Sequence, residues 1–554
     1  MEQNKYFHGM KQKWTILTAF FILFLLFFIQ YPLQGSLTGN LDTIANLAMY
    51  KQIKLYIDSW FTGNDFGSLC YPLENVIVYF GADFGAGIIH VLFNYLGMSD
   101  IWANWMFIAI VFTLNSFALF LLLNLYLKDE KIAFAGSLIF NLSHFTLANL
   151  ENPNALFFFF FFLSLYFYEV YLSSKGENLK VLFKAAVLGC IQIYLSPYLF
   201  LFHCIVWFIL ILFREPKLFS KIFFIKYIKI TLLYLIIISP FLYFFVFNSA
   251  IDSSKNSIFE EDYTFLFSLN IPDFTRVLPH HLYKNYIEIF DNPFLSKIKA
   301  AFLGYAFYII AIYGWIKTRQ KWMWLLIAVV GIIIAIGPFL VLDMNNMKPF
   351  IMYPFYKYGG MGDILRVPSR AFFITVFAGT IMISFALKSL NEKFQNFPIW
   401  MILCIIILLE NVPLRMEVYD QKAVLHPEKV FMQYLNNHPE SITVSVPTQL
   451  GNYLGDRNEY IYMYWQHIHK RTILNGNLAF IPEARLKTDA TFKDLNSYTL
   501  TDLIRSHDIT TIAYHKDLPQ QNLIQLDSLK SFTFLQKQVE NERVAIFEVI
   551  QPLP

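Results

Sequence analysis

The chain has 554 residues, of which 56% are hydrophobic and only 15% charged, and its mean hydropathy is +0.46. Soluble domains carry about a quarter charged residues, so this composition excludes an ordinary soluble protein and points to a polytopic membrane protein. A net charge of +3 gives no bulk attraction for nucleic acid.

The N-terminus, "MEQNKYFHGMKQKWTILTAFFILFLLFFIQYPL", is basic and then apolar. Its apolar run is about 20 residues long with no small-residue cleavage site after it, so it reads as an uncleaved first span. Further runs of spanning or near-spanning length follow at 101–127, 132–148, 154–173, 180–195, 197–213, 225–247, 300–316, 322–343, 371–388 and 398–413. With the first run at 14–33 they predict about eleven crossings. Lys5, Lys11 and Lys13 precede the first. Every second connection is then basic: Lys128 and Lys131; Lys175 and Lys180; Arg214, Lys217 and Lys221; Lys317, Arg319 and Lys321; Lys388 and Lys393. The intervening loop "NLENP" has no Lys or Arg. By the positive-inside rule the N-terminus is cytoplasmic and the C-terminus outside.

Residues 75–97, "NVIVYFGADFGAGIIHVLFNYLG", are apolar but hold Asp83, His90 and the closely spaced Gly81, Gly85 and Gly87. As a span they would invert the charge pattern, so they read as an amphipathic or re-entrant helix. The outer loops are then long, at about 34–100, 249–299 and 344–370, and rich in aromatics and prolines. Loops of that length are functional or disordered. From about residue 414 the charge density becomes ordinary. "SITVSVP", "ITTIAYH" and "RVAIFEVI" read as strands, "PEKVFMQYLNNH" and "TLTDLIRSHD" as amphipathic helices. The expected architecture is a membrane domain, 1–413, and a small extracytoplasmic α/β domain, 414–554.

Asp42 lies about nine residues beyond the first span and opens "LDTIANLAMYKQIKLYIDSW", where Leu41, Ile44, Leu47 and Ala48 recur at helical spacing. Two readings are open: a helix cap, or a reactive carboxylate held at the headgroup level by a helix lying in the membrane plane. Glu151, alone in "NLENPN", is either a second site acid or an acid placed by a helix dipole. His144 nearby is a cavity neighbour or a packed membrane histidine. Arg366 and Arg370 flank Pro368 at the mouth of a span. Guanidinium forks match phosphate, and such residues also anchor lipid headgroups; Lys357 belongs to the same basic cluster. His280 and His281 are adjacent in the longest outer loop, with no Cys or spaced acid to complete a metal site; substrate contact is one role for them. Asp58 and Asp65 read as solvated loop acids. "WQHIHK" puts His467 and His469 on one face of a possible strand, where they either touch an acceptor or play a structural role. Cys70, Cys190, Cys204 and Cys404 form neither a disulfide framework nor a zinc spacing.

One span followed by a long outer loop with an Asp at the head of a juxtamembrane helix resembles the GT-C superfamily of membrane glycosyltransferases. "PFYKYGGMGDILRVPSRAFFITVFAGTIMISFAL" is similar to the R-x-P-x-R span entry of YfhO-type members. "VSVPTQLGNYLGDRNEYIYMYWQHIHKRTILNGNLAFIP" is similar to their outer domain. The resemblance implies transfer of a sugar from a polyprenyl-phosphate donor to an unknown glycan, lipid or protein acceptor in the bacterial cell envelope, at the outer face of the inner (plasma) membrane. It makes Asp42 the general base, Glu151 its acidic neighbour, and Arg366 and Arg370 the donors to the leaving phosphate. Members of the family use a divalent cation in some cases, but the second outer loop, "NLENPN", has no D-x-D or E-x-D motif for one. A flippase or transporter would place charge at mid-membrane on paired broken helices, which the runs do not show. A scaffold that kept the fold and lost activity is the third reading.

Overall fold

A computed structural model describes residues 2–38, 41–63, 84–174, 176–215, 220–243, 268–270, 273–274, 277, 301–318, 320–343, 346–359, 365, 367–395, 397–413, 418–420, 425–447, 457–475, 483–516, 518 and 524–550. The chain divides into two compact units. One comprises Met1–Gln34, Trp105–Leu242 and Phe259–Val418; the other comprises Gly35–Asn104, Tyr243–Ile258 and Tyr419–Pro554.

The first unit is a bundle of apolar helices, and every apolar run read from the sequence contains one. Asp100–Leu127, Pro197–Arg214, Lys221–Phe241 and Pro368–Lys393 are long and apolar enough to cross a membrane. Shorter apolar helices are Lys13–Phe28, Phe159–Ser173, Lys321–Ile336 and Ile399–Asn411. Helix Phe372–Lys393 is almost wholly buried. Lys221–Phe241 exposes Ile222, Ile228, Leu232 and Ile236 along its length, as a lipid-facing helix does. Small residues allow close crossings: Gly379 lies against Phe307, and Gly331 against Thr375.

Two runs differ from the sequence expectation. Run 132–148 is broken into Glu130–Asn141 and His144–Ala148, because Ser143 turns extended and its hydroxyl caps Thr146 N at 3.3 Å. Run 322–343 stops as a helix at Ile336. Gly337 takes φ +70°, and the chain continues as a hairpin of β2 (Phe339–Asp343) and β3 (Asn346–Pro349). The preceding short strand, β1 (Ser36–Thr38), pairs with β4 (Val418–Asp420).

The basic connections gather at one end of the bundle. Lys388 donates to Leu127 O at 2.7 Å. Arg214 reaches both oxygens of Glu169, at 3.1 and 2.8 Å, and Gln320 at 2.8 Å. Lys226 pairs with Glu215 and donates to Tyr171 Oη at 2.6 Å.

The second unit holds a five-stranded sheet of order β6-β5-β7-β9-β8. β5 (Ile442–Val446) runs parallel to β6 (Thr472–Ile473) and β7 (Thr511–His515); β9 (Val544–Val549) is antiparallel to β7 and to β8 (Leu535–Glu540). Alternation along β7 sends Ile512 and Tyr514 into one core with Val444, Leu503 and Phe547. Ala513 enters the other core, with Phe431, Ile461 and Trp465. That second core also takes Leu37, Ile44, Leu47 and Ala48. Helix Leu41–Thr62 therefore spends its apolar face on protein packing rather than on a lipid surface, a difference from the expected membrane-plane helix. Helix Phe84–Tyr95 packs on it where Gly87 lets Tyr50 and Ile53 approach. This helix is the described part of segment 75–97; Cys70, Asp65 and Asp83 lie outside the described residues.

Candidate functional site

Opposite the basic end of the first unit, three separate loops converge on the entry to helix Phe372–Lys393. The Phe372 ring meets Phe145 at 5.0 Å and Phe274 at 5.5 Å. Phe145 belongs to the short helix that leads to Glu151, and Phe274 to the stretch that holds Asp273. Glu151 sits half-buried in the turn between His144–Ala148 and the 3-10 turn Pro153–Leu156, between the buried amides Asn149 and Asn152. Two residues before Phe372, the Arg370 guanidinium lies 5.1 Å over the Tyr198 ring. The geometry thus brings the loops of Glu151 and Arg370 to one end of the bundle.

Other expected residues fall differently. Lys357 is exposed and donates to Tyr353 Oη at 3.1 Å. His144 is fully buried and packed: its N–H donates to Asn411 Oδ1 at 2.9 Å, and Nδ1 lies 3.1 Å from Asn411 O. Arg366, His280 and His281 lie outside the described residues. Asp42 is the second residue of helix Leu41–Thr62, one position inside it, and its side chain is likewise outside the description.

Three residues were not anticipated from sequence. Asp273 is fully buried, and Asn270 N donates to its Oδ2 at 2.7 Å while Asp273 N returns a bond to Asn270 O at 3.0 Å. Ser369 is fully buried. The "NIPD" pattern, an amide and an acid three apart around a proline, is a local turn signal that marks the first two. Nothing in the sequence singles out Ser369 beyond its place between Pro368 and Arg370.

In the second unit a polar network lies under helix Leu41–Thr62. Lys51 Nζ is 2.5 Å from Asp100 Oδ1 and donates to Asn94 Oδ1 at 3.1 Å; Asn94 Nδ2 donates to Asp100 Oδ1 at 3.0 Å. Tyr464 donates to the other Asp100 oxygen at 2.5 Å. Burial pushes His90 and His467 down to about 4, and His469 to about 3, so all three are neutral. His467 and His469 belong to helix Arg457–His469, not to a strand. At about 100° per residue they point apart: His467 makes a hydrogen bond to Tyr464 O, and His469 packs on Phe431 at 5.9 Å. Asp58 is no solvated loop acid either. It sits on the same helix as Lys51, accepting from Lys54 and from Tyr95 Oη, both at 2.6 Å. Those bonds hold its carboxyl below the usual range against the opposing effect of burial.

Among the described residues no group of three His, Cys, Asp or Glu is placed to hold a metal ion. Cys190, Cys204 and Cys404 are free thiols.

The chain shares its fold, an apolar helix bundle together with an α/β unit, with a solved glycosyltransferase. It is similar to the cryo-EM structure of the arabinofuranosyltransferase AftD from Mycobacteria, with a TM-score of 0.59 and 12% identity over 98% of this chain and 40% of that one. A mutant form of AftD aligns with a TM-score of 0.62 and 11% identity, covering 98% of this chain and 42% of the other. The chain thus spans about two-fifths of the length of AftD, and the likeness is one of fold; it does not single out the YfhO-type branch. No protein-family model matches the chain, and no curated protein matches it.

Proposed function

We propose that this protein is a membrane glycosyltransferase that moves a sugar from a polyprenyl-phosphate donor to an acceptor at the outer face of a bacterial inner membrane. The observation that carries the reading is the GT-C fold, shared with an arabinofuranosyltransferase over nearly the whole chain. Asp42 takes the proton of the acceptor hydroxyl as it attacks the anomeric carbon. Arg370 and Arg366 neutralise the phosphate that leaves, and Glu151 supplies the second carboxylate. Two features support these roles: Arg370 is held over an aromatic ring, and Glu151 is on a loop at the same end of the bundle. The alternation of basic and non-basic connections in the sequence supports a cytoplasmic N-terminus and an extracytoplasmic C-terminal domain.

The test is transfer in membrane vesicles carrying the wild type or Asp42→Asn, with a panel of labelled polyprenyl-phosphate pentoses and hexoses. Turnover that vanishes in the variant at equal protein level supports Asp42 as base. An active Asp42→Asn moves the role to Glu151. A wild type inert toward every donor and acceptor defeats the enzyme reading and favours a scaffold or a flippase.

A further inference from the structure

Three lysines from three separate elements of the second unit converge on one carboxylate. Lys516 Nζ and Lys530 Nζ each lie 2.8 Å from Glu540 Oε1, and Lys537 Nζ lies 2.8 Å from Glu540 Oε2. Lys516 follows β7, Lys530 is in the last turn of helix Ile524–Ser531, and Lys537 and Glu540 are on β8. Strict alternation along a strand would send Lys537 and Glu540, three apart, to opposite faces. The register of β8 against β9 shifts between Lys537 and Val539, so Lys537 lies opposite Phe547 and Glu540 opposite Ala545, on one face of the sheet. Ala545 and Phe547 belong to the core that also takes Tyr514 and Leu529, which is why the end of β7 and the helix reach the same rim. Lys530 turns to Glu540 although Asp527 precedes it by one turn on its own helix.

The cluster is open to solvent: the side chains of Lys530, Lys537 and Glu540 are 38%, 49% and 22% exposed. Hydrogen bonds from Lys516, Lys530 and Lys537 hold the Glu540 carboxyl well below the usual carboxylate range, so it is ionised. One negative charge then faces three positive ones, and like charges gathered at one rim attract an anion from solution. An ammonium group is a point charge with rotatable donors, so it takes phosphate and carboxylate alike without the fork geometry of arginine. Gln536 and Gln538 are exposed on the same outermost strand, and their amides suit hydroxyl groups. Every exposed side chain from Lys530 to Gln538 is polar or charged, where a membrane-docking face carries large apolar residues. We propose that the rim formed by Lys516, Lys530 and Lys537 around Glu540 binds a glycan that bears repeated phosphate or carboxylate groups. That this glycan is the sugar acceptor rests on the glycosyltransferase reading above.

The experiment measures binding of fluorescent oligomers to the full chain in nanodiscs of neutral phosphatidylcholine. The probes are oligogalacturonate and oligo(glycerol phosphate), with neutral dextran of equal length as reference; phosphatidylglycerol vesicles present the same charge on a lipid surface. The wild type is expected to bind an anionic oligomer about tenfold or more tightly than dextran, a preference that added salt screens. The double variant Lys530→Gln/Lys537→Gln loses most of that preference. Glu540→Gln breaks the same ion pairs but leaves all three ammonium groups, and it keeps or strengthens the preference. Thermal midpoints check that each variant folds. A wild type that prefers neither oligomer to dextran, a preference untouched in the lysine variant, or an equal loss in both variants overturns the surface. Binding to phosphatidylglycerol vesicles without binding to either oligomer overturns it in favour of a lipid contact. Oligomer binding by a chain that turns over no polyprenyl donor supports the surface and overturns only the acceptor role.

Discussion

Lys51 Nζ lies 2.5 Å from Asp100 Oδ1 with the two side chains only 9% and 12% exposed, and Tyr464 closes the other face of the carboxylate. This pair joins the helix headed by Asp42 to the first residue of helix Asp100–Leu127 and to helix Arg457–His469. Breaking a buried pair from one side strands a charge and costs about 3–5 kcal/mol. Lys51→Met is therefore expected to lower the thermal midpoint of the detergent-solubilised protein sharply. The double variant Lys51→Met/Asp100→Asn, which strands no charge, loses less. Equal midpoints for wild type and Lys51→Met would show the pair to be solvated.

Acid weakens the second unit through its buried histidines. Those of His90, His467 and His469 are depressed in the fold to about 4, 4 and 3, against about 6.5 when unfolded. The unfolded chain therefore binds more protons between those limits. The stabilisation is whole above about pH 6.5 and falls, as pH drops toward 4, by about 1.4 kcal/mol per unit for each histidine. Thermal midpoints between pH 8 and 6.5 are expected to vary little from this source and to fall steeply from 6 to 5. His467→Gln reduces the slope; an unchanged slope would mean that His467 is not held neutral.

Gly314 faces the backbone of helix Phe372–Lys393. A Cβ at this position would collide with the Met382 carbonyl oxygen, which is part of a helix and cannot swing away as a side-chain tip can. Gly314→Ala is expected to cost at least about 1–3 kcal/mol, the usual range for overpacking. Gly63→Asn, at φ +67° with no described residue within 4 Å of an added Cβ, is expected to be nearly neutral, since Asn tolerates that conformation. Comparable losses for the two would argue against the helix contact.

Tyr198 holds Arg370 by its ring face. A cation–π contact is worth about 0.5–2 kcal/mol, so, if the protein is the proposed glycosyltransferase, Tyr198→Leu is expected to lower kcat/KM for the donor by about 2- to 30-fold. Tyr198→Phe keeps the ring and the affinity. If Tyr198→Leu costs as much in an Arg370→Gln background as in the wild type, Tyr198 acts elsewhere than through Arg370.

The membrane character, the apolar runs and the strands of the C-terminal part were all legible in the sequence. Each is a local property: length and hydropathy for a helix, alternation for a strand such as Thr511–His515, and neither needs a distant partner to declare itself. The sequence also marked Arg370 and Glu151, because a charge at the rim of an apolar run stands out. What it did not show depends on partners far along the chain. Helix Leu41–Thr62 has an apolar face that reads as lipid-binding until Ile461 and Trp465, some 400 residues later, cover it. The "WQHIHK" stretch alternates like a strand, yet its buried face is set by packing on Phe431 and on the first-loop helix, which makes it helical. Asn270 and Ser369 are ordinary polar residues in the sequence. Only the fold buries them.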